Sequence, residues 1–181
     1  MKLTLIRHTS VDVSKGICYG ITDVPVAPSF TEEVEKIRQN LEGKTFDAAY
    51  SSPLGRCTKL AEVVVPENRI QTDHRLTELD FGDWEMTNWN TISESPEGKI
   101  WFSDYVNTSC PNGESFIDLI QRGKSFIEDL RHTTFSRIVV FTHAGMIRAL
   151  MCLIQHKTPE EVFFTPLEYG QIITFNLENH E

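Results

Sequence analysis

The sequence has little positive charge and no long apolar run. Its 17 Lys and Arg residues are outnumbered by 26 Asp and Glu residues, which gives a formal net charge of -9 at pH 7. Nucleic-acid binders and proteins that adhere to anionic membranes depend on clustered Lys and Arg, so this composition argues against both. No apolar run approaches the roughly 20 residues that span a bilayer. A small anionic ligand remains compatible with the charge, because a recessed pocket can be basic while the surface is acidic.

The sequence also lacks the cysteine spacings of metal and disulfide sites. Cys18, Cys57, Cys110 and Cys152 are scattered and form no CxxC pair, so they indicate neither a zinc framework nor a disulfide scaffold. Reduced thiols in a cytoplasmic protein are the simpler interpretation. The amino-terminal residues are interrupted by charge too soon for a signal peptide. Cys57, beside Arg56, is the one cysteine whose position suits a reactive thiol.

Internal repeats, low-complexity tracts and linkers are absent as well, and 181 residues suffice for one domain with a well-formed core. Short apolar runs predict strands at 3–6, 46–50, 69–72, 137–142 and 171–177. Helical periodicity predicts helices at 30–41, 54–65, 114–131 and 145–155, with shorter helical stretches at 88–92 and 97–107. Because strands and helices alternate, we expect one α/β domain over 1–181, a three-layer α/β/α sandwich whose mainly parallel sheet has helices on both faces.

Chemically active side chains follow three of the predicted strands. Ligands in such folds bind outside the carboxyl ends of the strands, where Arg7 and His8 follow the first strand, Arg56 the second, and His143 the strand at 137–142. Arginine presents a planar fork of donors that matches phosphate oxygens. We expect the helices that begin near residues 54 and 145 to point free N–H groups at the same place. The combination predicts a site for a dianionic phosphoryl group.

A histidine in such a site has two roles open to it. A neutral imidazole attacks phosphorus and forms a covalent phosphohistidine, whereas a protonated imidazole donates to the phosphoryl oxygens. The leaving oxygen also needs a proton from a nearby acid. The segment 76–85 offers Glu78, Asp80, Asp83 and Glu85, and the residues alone do not choose among them.

Six segments, in the same order along the chain, resemble the histidine phosphatase superfamily, also called phosphoglycerate mutase-like. They are Leu5–His8, Tyr19–Pro25, Ser51–Cys57, Leu76–Glu85, Pro111–Ser115 and Thr142–Gly145. Each segment alone is weak evidence for the resemblance, but together the six segments extend over nearly the whole chain. The resemblance implies the phosphoglycerate mutase-like fold and a reaction that needs neither a metal nor a cofactor.

The resemblance also implies a role for each matching residue. It makes His8 the nucleophile, Arg7 and Arg56 the groups that bind the phosphoryl oxygens, His143 the second histidine of the phosphate pocket, and Glu78 the proton donor. Ser14 stands where the family often places a small polar phosphate ligand. In the implied reaction His8 takes the phosphoryl group while Glu78 protonates the leaving alcohol. Glu78 then assists a water molecule that attacks the phosphohistidine.

Two residues depart from the commonest family pattern. Thr9 follows the nucleophile where glycine is usual, which restricts the backbone and offers a hydroxyl to the pocket. Met86 stands where glycine often follows the Trp-Glu pair, and we expect it to alter the pocket wall. Residues 80–113 are expected to cover the pocket. Within them we interpret three tryptophans as packing residues, with a position at the mouth of the site as the alternative: Trp84, Trp89 and Trp101.

The sequence thus predicts a cytoplasmic, metal-independent phosphomonoesterase that acts on a small-molecule phosphate. Within the superfamily, the short length and the loop at 16–25 most resemble the α-ribazole phosphatases, which dephosphorylate an intermediate of cobalamin assembly. One alternative is phosphoryl transfer of the phosphoglycerate mutase type, which usually comes with a longer chain. Another is a catalytically silent phosphate-binding module on the same fold, which would be expected to lack His8, an arginine or the acid. Four further histidines are predicted to lie at the surface: His74, His132, His156 and His180.

Overall fold

The β-sheet is built from short apolar segments that are distributed along the whole chain. In the computed structural model, which describes residues 1–67 and 69–177, the strands are β1 (Lys2–Arg7), β2 (Ala48–Ser51), β3 (Ile70–Thr72), β4 (Arg137–Thr142) and β5 (Ile172–Asn176). Their order across the sheet is β3-β2-β4-β1-β5. Neighbouring strands are parallel except β1 and β5, which are antiparallel. The predicted mainly parallel sheet is confirmed, with β5 as an antiparallel edge strand.

Helices cover both faces of this sheet. They are α1 (Phe30–Asn40), α2 (Gly55–Val64), α3 (Trp89–Glu94), α4 (Pro96–Ser103), α5 (Phe116–Arg131), α6 (Ala144–Gln155) and α7 (Pro159–Phe163), with 3-10 turns at His74–Leu76 and Gly82–Trp84. Within the described residues, no helix combines the length and the apolar character that crossing a membrane requires.

The alternation of side chains along the strands creates two apolar layers. Leu5 of β1 and Val140 of β4 pack in one cluster together with residues of α5 and α6. Ile6 and Phe141, their neighbours in sequence, pack in a second cluster with α1 and α2. The sheet therefore lies between two helical layers, and the three-layer α/β/α sandwich predicted from the sequence is confirmed.

Capping side chains account for one shifted helix end and for one helix that periodicity misses. α5 begins at Phe116 rather than at residue 114, because Ser115 and Asp118 form a capping box at its start. The short helix α7 is not predicted, since five residues are too few to show apolar periodicity. Its signal in the sequence is a second capping box, formed by Thr158 and Glu161.

Residues 80–113 fold around an aromatic cluster. Trp84 and Trp101 are buried with edge-to-face rings 5.8 Å apart, and Trp89 stacks on Trp101 with a centroid distance of 6.1 Å. The packing interpretation of the three tryptophans is thus confirmed. α4 ends before Asp104 instead of continuing to residue 107, because Asp104 leaves the helical conformation.

Candidate active site

Four of the predicted site residues meet at the carboxyl edge of the sheet. Arg7 ends β1 and His8 follows it, His143 lies between β4 and α6, and Arg56 is in the first turn of α2. His8, His143 and Arg56 are almost completely buried, with exposed fractions of 2%, 0% and 1%. The imidazole centroids of His8 and His143 are 5.2 Å apart. Residues distant in sequence are therefore brought together as the strand-end rule predicts.

The backbone fixes the tautomer of His8. Its Nδ1 lies 2.7 Å from the carbonyl oxygen of Thr9. A carbonyl oxygen only accepts hydrogen bonds, so Nδ1 carries the proton and the lone pair of the neutral ring is on Nε2. Burial, followed by the positive charges of Arg56 and Arg7, lowers the pKa of His8 to about 3. Near neutral pH the ring is uncharged and its Nε2 has the lone pair that a nucleophile needs.

His143 is neutral as well. Its Nε2 lies 2.8 Å from the hydroxyl oxygen of Ser52. Burial lowers the pKa of His143 well below its ordinary value, and the nearby Arg56 and His8 act in the same direction. A protonated His143 that donates to phosphoryl oxygens, one of the two roles considered above, therefore requires the negative charge of a bound anion to raise its pKa.

Cys57 packs against His143 but lacks the surroundings of a reactive thiol. Its Sγ lies 3.5 Å from His143 Nε2 and donates to the Thr142 carbonyl oxygen at 3.6 Å. Burial raises the pKa of the Cys57 thiol. Reactive cysteines are partly exposed and have a lowered pKa, so the structure contradicts the interpretation of Cys57 as a nucleophile.

Loop carbonyl oxygens hold the two arginines. Arg56 donates through its two terminal nitrogens to the carbonyl oxygens of Thr22 and Gly20, at 2.8 and 2.6 Å. Arg7 donates through one terminal nitrogen to the carbonyl oxygen of Leu167. The Nε atom of each arginine is buried and has no hydrogen-bond partner among the described residues. Each guanidinium is thus positioned by one loop, and its buried Nε–H remains unused.

A pair of tyrosines connects those two loops. The hydroxyl oxygens of Tyr19 and Tyr169 are 2.8 Å apart. The Arg7 guanidinium lies 3.9 Å from the Tyr169 ring centroid, and that of Arg56 lies 5.5 Å from the Tyr19 ring centroid, so both contacts have cation–π character. Neither tyrosine was assigned a role from the sequence, although Tyr19 begins one of the six matching segments.

Glu78 accepts hydrogen bonds at the amino terminus of α6. Its Oε2 accepts from the N–H of Gly145 at 3.0 Å, and its Oε1 accepts from the N–H of Leu79 at the same distance. Arg122 donates to the Glu78 carbonyl oxygen at 3.1 Å and so fixes the backbone of this segment. The carboxylate therefore contacts Gly145, which is two residues after His143, at the same edge of the sheet.

The three rival carboxylates have structural partners elsewhere. Glu85 accepts from the N–H groups of Gly20 and Thr22. Burial alone would raise the pKa of Glu85. These hydrogen bonds outweigh burial and hold the pKa below its usual range. Asp80 accepts from the Gly82 N–H, and Asp83 accepts from a side-chain nitrogen, that of Asn112. Of the four candidates, Glu78 is the one that contacts the helix beginning beside His143.

The expectation of free N–H groups at two helix starts is wrong for the N–H groups of Gly55 and Gly145. The Gly55 N–H, at the start of α2, donates to Asp23 at 2.8 Å, and the Gly145 N–H donates to Glu78. Carboxylates are favoured at helix amino termini by the helix dipole, so these side chains take the places expected for phosphate. No cluster of three or more His, Cys, Asp or Glu side chains suited to a metal ion occurs in the described part of the chain.

A third arginine, Arg148, is a further residue that the sequence analysis missed. It lies on α6, four residues after Ala144, and donates to the carbonyl oxygen of Thr165 at 3.2 Å. Its Nε is buried without a partner among the residues that the structure describes. Burial lowers the pKa of Arg148, while the negative charge of Glu78 opposes that shift.

The sequence profile of the histidine phosphatase superfamily (branch 1) matches residues 3–181 of this chain. The chain belongs to that superfamily. It is 26% identical over 176 residues to the adenosylcobalamin/α-ribazole phosphatase of Escherichia coli K12, an alignment that covers 94% of this chain and 87% of the relative. It is also 26% identical to phosphoserine phosphatase 1 of Hydrogenobacter thermophilus, over 85% of this chain and 76% of the relative.

A solved structure shows the same fold. The crystal structure of the α-ribazole phosphatase from Shigella flexneri superimposes with a TM-score of 0.90 over 98% of this chain and 91% of that protein, at 23% sequence identity. The membership of the histidine phosphatase superfamily and the fold predicted from the six sequence segments are both confirmed.

Ser14 and Met86, two residues singled out by the resemblance, are both exposed. Ser14 is exposed, and within the described residues its side chain makes no hydrogen bond to His8, His143, Arg7 or Arg56. Met86, where relatives of this superfamily often have glycine, has a φ of 61° and an exposed side chain. This left-handed conformation favours glycine, which explains the usual residue at that position.

The free energy of unfolding of this superfamily member is expected to fall as the pH drops below about 6.5. The folded-state pKa values of His8 and His143 are depressed, so below the ordinary value of 6.5 the unfolded chain binds protons that the folded chain does not. The contribution of the two histidines to the free energy of unfolding is therefore fully present above pH 6.5. Below pH 6.5 it declines by about 1.4 kcal/mol per pH unit for each of the two. Urea unfolding between pH 7 and pH 5 measures this slope, above the range in which carboxylates titrate.

A His8→Asn variant, which has no titrating ring at this position, is expected to show about half of that slope. A pH-independent free energy of unfolding in this window would contradict the neutral buried histidines. The other described histidines are exposed, as predicted: His74, His132 and His156. His180 lies outside the described residues.

Proposed function

We propose that this chain is a phosphomonoesterase that hydrolyses a small-molecule phosphate through a phosphohistidine on His8. The observation that carries the proposal is the state of the His8 ring. It is buried and uncharged, and its Nδ1 is bound to the Thr9 carbonyl oxygen, so the lone pair of Nε2 is available for attack. A structural histidine in a protein interior does not need two arginines that disfavour its protonation.

Unused donors around His8 support a phosphate ligand. Arg7 Nε, Arg56 Nε and Thr9 Oγ1 are buried, and none has a partner in the described residues. A buried donor without an acceptor costs about 1–3 kcal/mol. A phosphoryl group supplies several acceptor oxygens and negative charge, and two arginines match that charge. The unpaired donors and the positive charge of the site are thus both suited to a phosphoryl group.

The reaction that we propose has two steps. Nε2 of His8 attacks phosphorus, the bond from phosphorus to the ester oxygen breaks, and Glu78 gives its proton to that oxygen. The phosphorylated ring keeps its proton on Nδ1 and carries positive charge, which the Thr9 carbonyl oxygen stabilises. Water then attacks phosphorus and gives a proton to Glu78, and the bond to Nε2 breaks. Arg7 and Arg56 stabilise the phosphoryl oxygens in both steps, so the proposal requires no metal.

The proposed domain spans residues 1–181, with 80–113 as the segment that covers the site. Contacts of that segment with the loop at 16–25 support this assignment. The N–H of Trp89 donates to the carbonyl oxygen of Gly16 at 2.8 Å, and the N–H of Cys18 donates to that of Thr87 at 2.8 Å. Because Gly20 and Thr22 of the same loop hold Arg56, a change in 80–113 is transmitted to the phosphate-binding arginine.

The proposed substrate is α-ribazole 5′-phosphate, since the loop at 16–25 and a relative named as an α-ribazole phosphatase both favour it. A phosphate-release assay over a panel of esters tests substrate and reaction together. The panel contains α-ribazole 5′-phosphate, O-phosphoserine, 3-phosphoglycerate and p-nitrophenyl phosphate. We expect α-ribazole 5′-phosphate to have a kcat/KM at least about tenfold above the others, a difference of roughly 1.4 kcal/mol in transition-state binding.

Each contrary outcome of the panel has a distinct meaning. A preference for O-phosphoserine would retain the phosphatase and overturn the substrate. Isomerisation of 3-phosphoglycerate without release of phosphate would replace hydrolysis by mutase chemistry. Binding of phosphate without turnover of any ester would leave a silent phosphate-binding module.

A further inference from the structure

Thr9 has a buried hydroxyl that the fold itself does not use. The residue is fully buried, with an exposed fraction of 0%, and its Oγ1 has no hydrogen-bond partner among the described residues. By contrast, Thr4 and Thr142, two other buried threonines at the strands of this sheet, both have partnered hydroxyls. An unsatisfied buried hydroxyl is unfavourable, so the folded chain would gain stability from an apolar group of the same shape at this position.

The backbone of Thr9 holds its hydroxyl near the reacting atoms. The Thr9 carbonyl oxygen accepts the Nδ1–H of His8 at 2.7 Å, which ties residue 9 to the orientation of the imidazole ring. The hydroxyl oxygen is two bonds from the Cα atom of the same residue, and Thr9 and His8 are both buried. Ser14, the hydroxyl residue that the superfamily resemblance associates with phosphate, is exposed instead. Next to the nucleophile in sequence, the site therefore has a buried hydroxyl that makes no hydrogen bond within the described residues.

We propose that Thr9 is a phosphoryl-binding residue of this site, with its hydroxyl donating to a non-bridging oxygen of the phosphoryl group while its carbonyl oxygen orients His8. This assignment rests on the proposed function. A hydroxyl is an uncharged donor, so it binds a phosphoryl oxygen without adding to the positive charge that keeps His8 unprotonated. A third cation at this place would lower the pKa of His8 further but would also hold the product phosphate more strongly.

Three substitutions separate the hydroxyl from the shape of the side chain. Thr9→Val removes the hydroxyl and keeps the branched shape, Thr9→Ser keeps the hydroxyl, and Thr9→Gly introduces the usual superfamily residue. Thr4→Val is the control, because it removes a buried hydroxyl from β1, the strand that precedes Thr9. Steady-state kinetics on the best ester of the panel, inhibition by vanadate and thermal unfolding are measured for all of them.

The expected result is a split between activity and stability. Thr9→Val lowers kcat/KM by about 10- to 100-fold, as for loss of one hydrogen bond to a charged group. It weakens inhibition by vanadate, which mimics the pentacoordinate phosphorus, by a similar factor. Its Tm equals or exceeds that of the unsubstituted protein, because an unsatisfied buried hydroxyl has been removed. Thr9→Ser retains activity within about threefold, and Thr4→Val leaves kcat/KM unchanged.

Two outcomes overturn the assignment. If Thr9→Val keeps its kcat/KM and vanadate inhibition within about twofold, the hydroxyl does not bind the phosphoryl group. If Thr9→Val and Thr9→Ser lose activity equally with a lowered Tm, Thr9 has a packing role alone. Failure of the proposed function gives a different result, an unsubstituted protein that hydrolyses no ester. In that case calorimetric titration with vanadate and with inorganic phosphate decides on Thr9, whose valine variant must bind them at least about tenfold more weakly.

Discussion

Replacement of His8 by alanine is expected to lower kcat for phosphate release by about 10⁴-fold or more, a loss typical of removing a nucleophile. Alanine leaves the phosphoryl group without the Nε2 lone pair, while Arg7, Arg56 and His143 retain their places in the site. The binding of inorganic phosphate is therefore expected to change much less than kcat. Continuous assay of phosphate release on the preferred ester measures the loss, and calorimetry measures phosphate binding.

The control for this variant is His74→Ala, which removes an exposed imidazole and is expected to leave kcat unchanged. A covalent test complements the kinetics. Brief reaction with a ³²P-labelled ester followed by alkaline quenching is expected to label the unsubstituted protein, with a bond that is stable in alkali and labile in acid, as a phosphohistidine is. A His8→Ala protein that still acquires this label, or that still turns over at the original rate, would refute His8 as the nucleophile.

Replacement of Glu78 by glutamine is expected to lower kcat/KM for an alkyl phosphate by about 10²- to 10⁴-fold, the usual contribution of a positioned general acid. Glutamine keeps an oxygen that accepts from the Gly145 N–H, so the start of α6 remains satisfied. What it loses is the proton for the leaving alcohol, together with the oxygen that accepts from the Leu79 N–H. Because p-nitrophenolate leaves without protonation, the loss in the first step is expected to be much smaller for p-nitrophenyl phosphate.

With that aryl ester, the Glu78→Gln variant is expected to accumulate the phosphohistidine, since water attack also depends on Glu78. Stopped-flow absorbance then shows a burst of p-nitrophenol followed by slow turnover. Asp83→Asn is the control, because Asp83 is bound to Asn112 and is exposed to solvent on the outside of the segment. Equal losses on alkyl and aryl esters, without a burst, would mean that Glu78 positions the helix and transfers no proton.

Local sequence determines the sheet and the positions that end its strands. Apolar runs such as Ile138–Phe141 favour buried strands, and residues that follow such strands in a parallel sheet must meet at one edge. For that reason Arg7, Arg56 and His143 are predictable from positions along the chain alone. The six matching segments further predict the superfamily, but they do not predict which residues contact one another.

Contacts between loops are not predictable in this way. Glu85 binds the N–H groups of the loop at 20–22, and Asp23 binds the start of α2, although both resemble solvent-exposed acids in the sequence. Each contact depends on the path of two irregular segments, and apolar periodicity does not encode that path. The bridge between Tyr19 and Tyr169 has the same origin, since its residues come from opposite ends of the chain.

The position of β1 in the sheet has a consequence for the order in which the chain can fold. β1 pairs with β4 and β5, which begin at Arg137 and Ile172, and the N–H of Gly170 donates to the His8 carbonyl oxygen. β1 lies between these two strands, next to the edge of the sheet, so it cannot pair completely with either of them until Thr142 has been added to the chain. Loop closure over such separations is slow. In the meantime the backbone N–H and C=O groups of β1 are unpaired. His8, which follows β1, therefore acquires its surroundings only after β4 and β5 have joined the sheet.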